Sequence, residues 1–267
     1  MHNTPDSFTL QWLSIENTDT FTMAVSADDG RNRPFMPGQY CMVYVFGFGE
    51  IPLSIRGGEG NTLIFTVRCV GATTTKLSQL TNGDKVGIRG PFGNSWPIDK
   101  SKKELILIAG GIGIAPLLSV LEHNHYLSNF EKTTLLYGAK TPDDILFEEK
   151  LGKITQPNIH ISKTVDITKN GWKDHIGVVT SLISKQKIEG SNTLCYICGP
   201  EVMMKFAVHE LLRKDIPQDS IYLSLERRMQ CSTGTCGQCQ LGPFFLCREG
   251  PIFPYNLIDK FLSMKEV

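Results

Sequence analysis

Four cysteines lie close together near the C-terminal end of this 267-residue sequence. In CSTGTCGQCQLGPFFLC, Cys231, Cys236, Cys239 and Cys247 are separated by four, two and seven residues. Thiolates are soft ligands that suit zinc and iron–sulfur centres. A structural zinc site usually presents two C-x2-C pairs, whereas only Cys236 and Cys239 form such a pair here. The spacing is instead typical of a plant-type [2Fe–2S] cluster, and we expect these four residues to be its ligands.

The glycines within the same stretch favour this interpretation. A loop that wraps a cluster needs positive φ angles and close approach of backbone N–H groups to sulfur, and Gly234, Gly237 and Gly242 allow both. Two alternatives remain open on spacing alone. The cysteines could form a zinc site with four sulfur ligands, or they could stay reduced or form disulfides.

Two other glycine-containing segments could bind a dinucleotide. ELILIAGGIGIAPLL places Gly110, Gly111 and Gly113 between an apolar strand and a helical pattern, where N–H groups and a helix start could meet a pyrophosphate. The spacing is not G-x-G-x-x-G, so a tight turn without a ligand is the alternative. YICGPEVMM ends a second apolar strand in the same way. Ligands of doubly wound sheets bind at such carboxyl ends.

Three regions of different texture must position these residues. Residues 1–99 contain short alternating apolar segments between Gly- and Pro-rich turns, which predicts an antiparallel β-barrel. Residues 100–222 alternate apolar runs with helical stretches, which predicts a Rossmann-like α/β domain with parallel strands. Residues 223–267 are rich in Cys and Gly and are expected to be organised by their ligands. We therefore predict an α+β protein of three parts.

Composition excludes several classes of partner. Lys+Arg and Asp+Glu both number 27, so no overall charge favours nucleic acid or an anionic membrane. No apolar run reaches the roughly 20 residues that span a bilayer. The first residues lack a secretory pattern, so we expect a cytoplasmic protein with reduced thiols. Cys41, Cys69 and Cys195 lie in predicted strands and are expected to be inert core residues.

The order of these motifs resembles the ferredoxin–NADP+ reductase superfamily over almost the whole chain. AGGIGIAPLL, YGAKTPDDILF and CGPEVMM follow a barrel pattern in the same order, and the tail ERRMQCSTGTCGQCQLGPFFLCREGPIFPY narrows the resemblance. That tail is similar to the electron-transfer subunits of two cytoplasmic enzyme types, the sulfhydrogenases (their gamma subunits) and the anaerobic sulfite reductases. The electron-transfer subunit of dihydroorotate dehydrogenase is a more distant relative.

The resemblance implies FAD in the barrel. The family's R-x-Y-S/T segment matches Ile51 followed by Pro52, Leu53 and Ser54, so the usual arginine is absent and the choice between FAD and FMN stays open. A second family segment begins with Val70 and Gly71 and continues to Thr73 and Thr74, whose hydroxyl and N–H groups could bind a pyrophosphate. An ordinary helix cap is the alternative for the threonines.

The resemblance also implies NAD(P)H in the second domain. Gly110, Gly111 and Gly113 would hold the pyrophosphate. Cys198, Gly199 and Pro200 would lie near the nicotinamide, with Cys198 lining the path of hydride transfer. Lys140 does not decide between NADH and NADPH.

Together these sites indicate an NAD(P)H-dependent oxidoreductase subunit. A flavin takes up hydride and releases electrons singly, which joins a nicotinamide to an iron–sulfur centre. No site for a final acceptor is evident, so we expect a catalytic partner subunit in a hetero-oligomer. A partner of the dihydroorotate dehydrogenase type and a non-redox, zinc-bearing adaptor are the alternatives. The direction of electron flow stays open.

Overall fold

The computed structural model describes residues 4–168 and 171–262, and the chain divides into two compact units. Among the described residues, the first unit contains residues 4–95 together with Glu226–Ile252. The second unit contains Trp96–Leu225 and residues 253–262.

The first unit is built on a closed six-stranded barrel. The strand order is β1-β2-β5-β4-β3-β6, and neighbouring strands pair antiparallel. A short helix, α1, lies between the last two strands. The elements are β1 (Asp6–Ile15), β2 (Thr20–Ala27), β3 (Tyr40–Val45), β4 (Gly49–Glu59), β5 (Thr62–Arg68), α1 (Ala72–Ser78) and β6 (Lys85–Phe92).

Strand β3 is buried on both of its faces. Its alternate residues Cys41, Val43 and Val45 belong to the apolar core inside the barrel. Tyr40 and Met42 point to the opposite face, because successive side chains of a strand alternate, yet they are only 3 % and 0 % exposed. The outer face of β3 is therefore covered by other residues at Tyr40 and Met42, whereas Tyr44 on the same face is half-buried.

The second unit contains a parallel sheet with the order β10-β9-β8-β7-β11-β12. Continuous burial of β7 and β11 explains why their sequences are unbroken apolar runs. The strands are β7 (Glu104–Gly110), β8 (Lys132–Ala139), β9 (Ile159–Val165), β10 (His175–Ile176), β11 (Thr193–Cys198) and β12 (Ile221–Ser224). The helices are α2 (Ile114–Leu121), α3 (Asn124–Leu127), α4 (Glu148–Gly152), α5 (Thr180–Lys185) and α6 (Glu201–Leu212).

The C-terminal part of the chain adds small elements. The last described elements are β13 (Gln240–Leu241), β14 (Phe244–Phe245), α7 (Leu246–Glu249), β15 (Ile252–Pro254) and α8 (Tyr255–Ile258). Strands β13 and β14 form a hairpin, and β15 joins the sheet beside β12.

Asn94 fastens the cysteine segment to the barrel. Its side-chain amide donates to the carbonyls of Ile252 (2.7 Å) and Glu249 (3.0 Å), and its oxygen accepts the Ile252 N–H at 3.0 Å. Residues 226–252 thus form one compact unit with the barrel. The division into cofactor domains at residues 99 and 222 stays a prediction.

The predicted fold class is confirmed, with differences in detail. The helical pattern that starts at Ala115 and ends at Leu127 is broken, because His123 has extended backbone angles (φ −102°, ψ 103°) between α2 and α3. Downstream of the break, the buried Tyr126 hydroxyl donates to the Trp96 carbonyl at 2.8 Å, which anchors α3. No helix in the described part of the chain is long and apolar enough to cross a membrane.

Candidate functional site

Backbone N–H groups in the cysteine segment point at sulfur. The N–H groups of Thr233 and Thr235 each donate to Cys231 Sγ at 3.4 Å, and that of Gly234 donates to Cys247 Sγ at 3.2 Å. Such bonds offset the negative charge of thiolates and of a cluster bound to them. The expectation of positive φ is confirmed: the values are 76° at Gly234, 77° at Gly237 and 55° at Gly242.

The four thiols differ in burial and in acidity. Cys239 and Cys247 are 2 % and 4 % exposed, Cys231 is half-buried and Cys236 is exposed. Burial opposes ionisation of Cys231, but hydrogen bonds from Thr235 and Thr233 outweigh it and lower the pKa of this thiol to about 4. Burial and the neighbouring Cys239 raise the pKa of Cys247. Ionising Cys247 therefore requires a nearby positive charge, such as a metal centre supplies.

Two buried hydroxyls lie among these thiols. Tyr40 and Ser232 are each 3 % exposed, and neither hydroxyl forms a hydrogen bond of normal geometry to a described residue. Burial raises the pKa of the Tyr40 phenol, and contact with the Ser232 hydroxyl partly offsets this rise. The negative charge of the thiolates of Cys247, Cys239 and Cys231 would raise the pKa further. Hydroxyls without partners beside four cysteines fit a bound group that offers further acceptors. Within residues 4–168 and 171–262, no three His, Cys, Asp or Glu side chains are grouped closely enough to hold a single metal ion, whereas the ligands of a cluster with several metal atoms lie farther apart.

Arg89 links the cysteine segment to β4. Its guanidinium forms a bidentate pair with Glu50 (2.7 and 2.5 Å) and donates to the carbonyls of Cys231 (3.1 Å) and Gln230 (3.2 Å). A surface cleft of about 460 Å³ opens beside this pair. Its walls also include Cys231, Thr233 and Thr235, so one side of the cysteine loop faces the cleft.

The residues predicted to hold a flavin lie partly on the outer face of β4. Pro52 and Ser54 pair across the ladder with Met42 and Tyr40, so they share that pair's outward direction. They are half-exposed, as are the other residues from Gly49 to Ser54. Leu53 packs against the barrel core instead. A ligand on the outer face would therefore meet Leu53 through its backbone.

The two predicted threonines of the second flavin segment have different surroundings. The Thr74 hydroxyl accepts the N–H groups of Val70 and Gly71, both at 3.0 Å, and donates to the Gly71 carbonyl at 2.9 Å. Thr74 is thus engaged in a capping interaction. The Thr73 hydroxyl makes one long bond, 3.4 Å, to the Phe48 carbonyl. Val70 is 79 % exposed, so this loop is open to solvent.

Two glycine loops of the second unit contact each other where neighbouring strands end. Cys198 of β11 pairs with Ala109 of β7, so both strands present their carboxyl ends at the same edge. A Cβ on Gly113 would lie 2.3 Å from the Cys198 carbonyl oxygen, and one on Gly199 would lie 3.0 Å from the Gly110 nitrogen. Packing of the loops alone therefore requires these glycines. Their role toward a dinucleotide stays a prediction.

The remaining nucleotide residues lie around the same edge. Gly111 has a left-handed φ of 53°, which turns the chain into α2. Pro200 directly precedes α6, and the Met203 sulfur would be 2.3 Å from a Cβ on Gly110. Cys198 is 4 % exposed at the end of β11. Lys140 is exposed, one residue past β8.

Three other cysteines lie outside the candidate cluster site. Cys41 and Cys195 are fully buried, and burial raises the pKa of both thiols, so their predicted place in the core is confirmed. Cys69 is only half-buried, and its thiol contacts the Thr74 carbonyl at 3.8 Å.

Several residues at these sites were not predicted from the sequence. Their partners are distant along the chain: Arg89 and Cys231 are 142 positions apart. One signal was present in the sequence, namely two phenylalanines beside the glycines of VFGFGE. Phe46 and Phe48 are 56 % and 51 % exposed at this turn before β4. The unpredicted residues are Tyr40, Phe46, Phe48, Glu50, Arg89, Met203 and Ser232.

Two family profiles match the chain. Residues 107–209 match a profile described as an oxidoreductase NAD-binding domain. Residues 226–259 match the iron–sulfur cluster binding domain of dihydroorotate dehydrogenase B. The two matches cover the glycine loops of the second unit and all four clustered cysteines.

Solved structures share the fold. A chain of an NADH-dependent reduced ferredoxin–NADP oxidoreductase superposes with a TM-score of 0.78 at 24 % identity, covering 97 % of this chain and 93 % of that chain. A ferredoxin NADP+ reductase from Neisseria gonorrhoeae has a TM-score of 0.72 at 18 % identity, covering 84 % and 98 %. At these identities the likeness shows the fold alone.

Curated relatives share more of the sequence. The chain is 35 % identical to the sulfhydrogenase 2 gamma subunit of Pyrococcus furiosus, over 93 % of this chain and 88 % of the relative. It is 36 % identical to a probable dihydroorotate dehydrogenase B electron-transfer subunit of Pyrococcus abyssi, over 91 % and 86 %. The chain therefore belongs to the family of oxidoreductase electron-transfer subunits that includes the sulfhydrogenase gamma subunits and the electron-transfer subunits of dihydroorotate dehydrogenase B.

Proposed function

We propose that this chain passes electrons between NAD(P)H, FAD and a [2Fe–2S] cluster, to or from a catalytic oxidoreductase subunit in a hetero-oligomer. The observation that carries the proposal is the set of backbone N–H groups directed at Cys231 and Cys247, in a segment that matches an iron–sulfur binding domain. When bound, the flavin exchanges hydride with the nicotinamide and single electrons with the cluster.

Cys231, Cys236, Cys239 and Cys247 would hold the cluster. The C-x4-C-x2-C spacing supports the [2Fe–2S] type. Burial of Cys239 and Cys247 would keep water from one side of it. The cleft beside Cys231 leaves the other side within reach of a partner protein, which supports an exit for electrons there.

The flavin would bind against the outer face of the barrel at Pro52, Leu53 and Ser54. Val70, Gly71 and Thr73 lie at the start of α1 and would face the pyrophosphate of the flavin. The N–H groups of the first turn of α1, which have no partner within the helix, would bind it. Thr74 would act indirectly by bracing the loop.

Lys76 would supply the positive charge that the usual arginine provides in related flavin sites. It is one turn beyond Thr73 on the same face of α1, and its ammonium lies 5.7 Å from the centre of the Phe48 ring. Ile51, which occupies the arginine's position, packs against the core and offers no charge.

The nicotinamide dinucleotide would bind where the two glycine loops meet. Gly110, Gly111 and Gly113 would present N–H groups at the start of α2 to its pyrophosphate. Cys198, Gly199 and Pro200 would contact the nicotinamide.

The proposal also includes a cytoplasmic location. All eight cysteines are free, which suits a compartment that keeps thiols reduced.

Anaerobic reconstitution tests the function. The purified chain should gain flavin and iron–sulfur absorbance, with two iron and two labile sulfide per chain expected of this cluster type. Both absorbances should bleach with NADH or NADPH. Stoichiometric zinc without labile sulfide would overturn the cluster and would favour the adaptor alternative.

The partner is a separate question. Relatives of the sulfhydrogenase type and the dihydroorotate dehydrogenase type have nearly equal identity to this chain, 35 % and 36 %. Affinity purification from the native cell under anaerobic conditions should recover a catalytic oxidoreductase subunit, and its activity decides between the two. Recovery of the chain as a free monomer would contradict the hetero-oligomer.

A further inference from the structure

Two hydroxyls next to the clustered cysteines have no hydrogen-bond partner of normal geometry among the described residues. Tyr40 and Ser232 are each 97 % buried, and the one polar contact that either hydroxyl makes among the described residues is with the other. Leaving a buried polar group unsatisfied costs roughly 1–3 kcal/mol. Two hydroxyls that have only each other still leave one proton without an acceptor, which indicates an acceptor that the protein chain itself does not provide.

The surroundings of these hydroxyls identify the acceptors. Cys231, Cys239 and Cys247 lie within electrostatic range of the Tyr40 phenol, and the Ser232 hydroxyl contacts that phenol. Ser232 directly follows Cys231 in the chain. Sulfur atoms of thiolates and of iron–sulfur clusters accept hydrogen bonds, so a cluster on these cysteines would meet both donors.

The barrel fixes the orientation of the Tyr40 side chain. The ladder between β3 and β6 has an irregularity between Tyr40 and Met42, and such bulges redirect side chains. The Tyr40 ring packs 5.8 Å from the Phe92 ring, and a ring carbon would be 3.2 Å from a Cβ on Gly93. The phenol thus has little freedom to turn toward another partner.

Ser232 is held by an unusual backbone conformation. Its φ is +58°, which costs of order 1–3 kcal/mol for a residue other than glycine. A glycine would adopt this angle without strain. The serine side chain therefore occupies a position at which glycine would be favoured on backbone grounds alone.

We propose that the Tyr40 and Ser232 hydroxyls donate hydrogen bonds to sulfur atoms of the iron–sulfur cluster and that Tyr40 raises its reduction potential. Hydrogen bonds to cluster sulfurs stabilise the reduced, more negative state. Tyr40 pairs directly with Ser54 of the flavin segment, so the strand pair that would hold the flavin would also tune the cluster. This inference rests on the proposed function.

Tyr40→Phe tests the proposal, because it removes the hydroxyl and keeps the ring. The reconstituted variant should have a more negative cluster midpoint potential than the wild type. After exchange into D2O, the deuteron couplings of the reduced cluster in pulsed electron paramagnetic resonance should lose one component. Tyr222→Phe, which removes a phenol hydroxyl in the second unit, is the matched control and should leave both measurements unchanged.

Ser232→Gly supplies a second test that does not depend on the barrel. It removes the other hydroxyl and relieves the positive φ, so the apo-protein should be at least as stable as the wild type, while the potential should again become more negative. A wild-type potential and unchanged deuteron couplings in both variants would overturn this inference alone. A protein that takes up zinc and no labile sulfide would overturn the cluster itself, so the two failures are distinguishable.

Discussion

Arg89 donates a hydrogen bond of 3.1 Å to the carbonyl of Cys231 while both oxygens of Glu50 accept from the same guanidinium. Glu50 directly precedes the segment proposed to hold the flavin, and Cys231 is the first proposed cluster ligand. One side chain thus fixes the beginning of the cysteine loop to the strand of the flavin site. This contact holds together two segments that are about 180 residues apart in the chain.

Arg89→Met should destabilise the protein by about 3 kcal/mol. The Arg89 and Glu50 side chains are 9 % and 21 % exposed, so removal of the cation leaves a mostly buried carboxylate without its partner. Glu50→Met should restore part of this loss in the double variant. Urea unfolding of the apo-protein should give a coupling free energy of about 1–3 kcal/mol for the pair.

The pair Lys103–Glu131 is the control for this cycle. Its side chains are 59 % and 70 % exposed, so its coupling should stay below about 1 kcal/mol. Additive effects of Arg89→Met and Glu50→Met would show that these two side chains do not stabilise each other.

Cys239→Ser should abolish the cluster and leave the flavin reaction. Cys239 is 2 % exposed, and a serine hydroxyl is a poor ligand for iron in this position. Iron and labile sulfide should be lost, together with electron transfer to the catalytic subunit. Reduction of an artificial dye by NAD(P)H should stay within about twofold of wild type, because the dye can draw electrons from the flavin.

Cys195→Ala is the matched control, because it removes a buried thiol of β11 and should retain a full cluster. Equal loss of dye reduction in Cys239→Ser would contradict the order in which we place the carriers. Thermal unfolding of both variants would show whether that loss comes from misfolding instead.

Thr73→Val and Thr74→Val should affect different properties, flavin binding in the first case and stability in the second. Thr74→Val removes the acceptor for the Val70 and Gly71 N–H groups, so it should cost about 1–2 kcal/mol of apo-protein stability. Thr73→Val removes a hydroxyl with one long contact and should change stability by less than about 0.5 kcal/mol. If the Thr73 hydroxyl binds the flavin phosphate, only Thr73→Val should weaken flavin binding at unchanged stability. Flavin fluorescence titration measures this, and weaker binding only in Thr74→Val would refute the assignment.

Local patterns were enough to predict the fold class. The alternate apolar residues Leu63, Phe65 and Val67 of β5 belong to the barrel core, and the unbroken run TLCYIC of β11 is buried throughout, as expected of a barrel and of a parallel sheet. The cysteine spacing and its glycines also identified a loop whose φ angles agree with expectation at all three glycines. These features depend on residues close together in the chain.

The contacts that organise the sites depend on distant residues, and no local pattern reports them. Tyr40 is an ordinary strand residue of GQYCMVYVF in the sequence, and only the folded chain brings its phenol within electrostatic range of Cys231, Cys239 and Cys247. Thr74 belongs to a segment that suggested a phosphate contact, yet its hydroxyl is occupied within the loop. Whether a polar group is available to a ligand is a property of the folded chain.

Gly113→Ala tests whether close contact between the two glycine loops positions a dinucleotide. The new Cβ would be 2.3 Å from the Cys198 carbonyl oxygen, so the loops must separate. Overpacking of this kind costs roughly 1–3 kcal/mol of stability. NADH affinity, measured by fluorescence quenching, should fall at least about tenfold because the N–H groups at the start of α2 would be displaced.

Gly152→Ala is the control, since no atom lies within 4 Å of its Cβ position at the end of α4 and alanine favours a helix. Wild-type NADH affinity in a measurably destabilised Gly113→Ala protein would separate the packing role of this glycine from cofactor binding and would place the dinucleotide elsewhere.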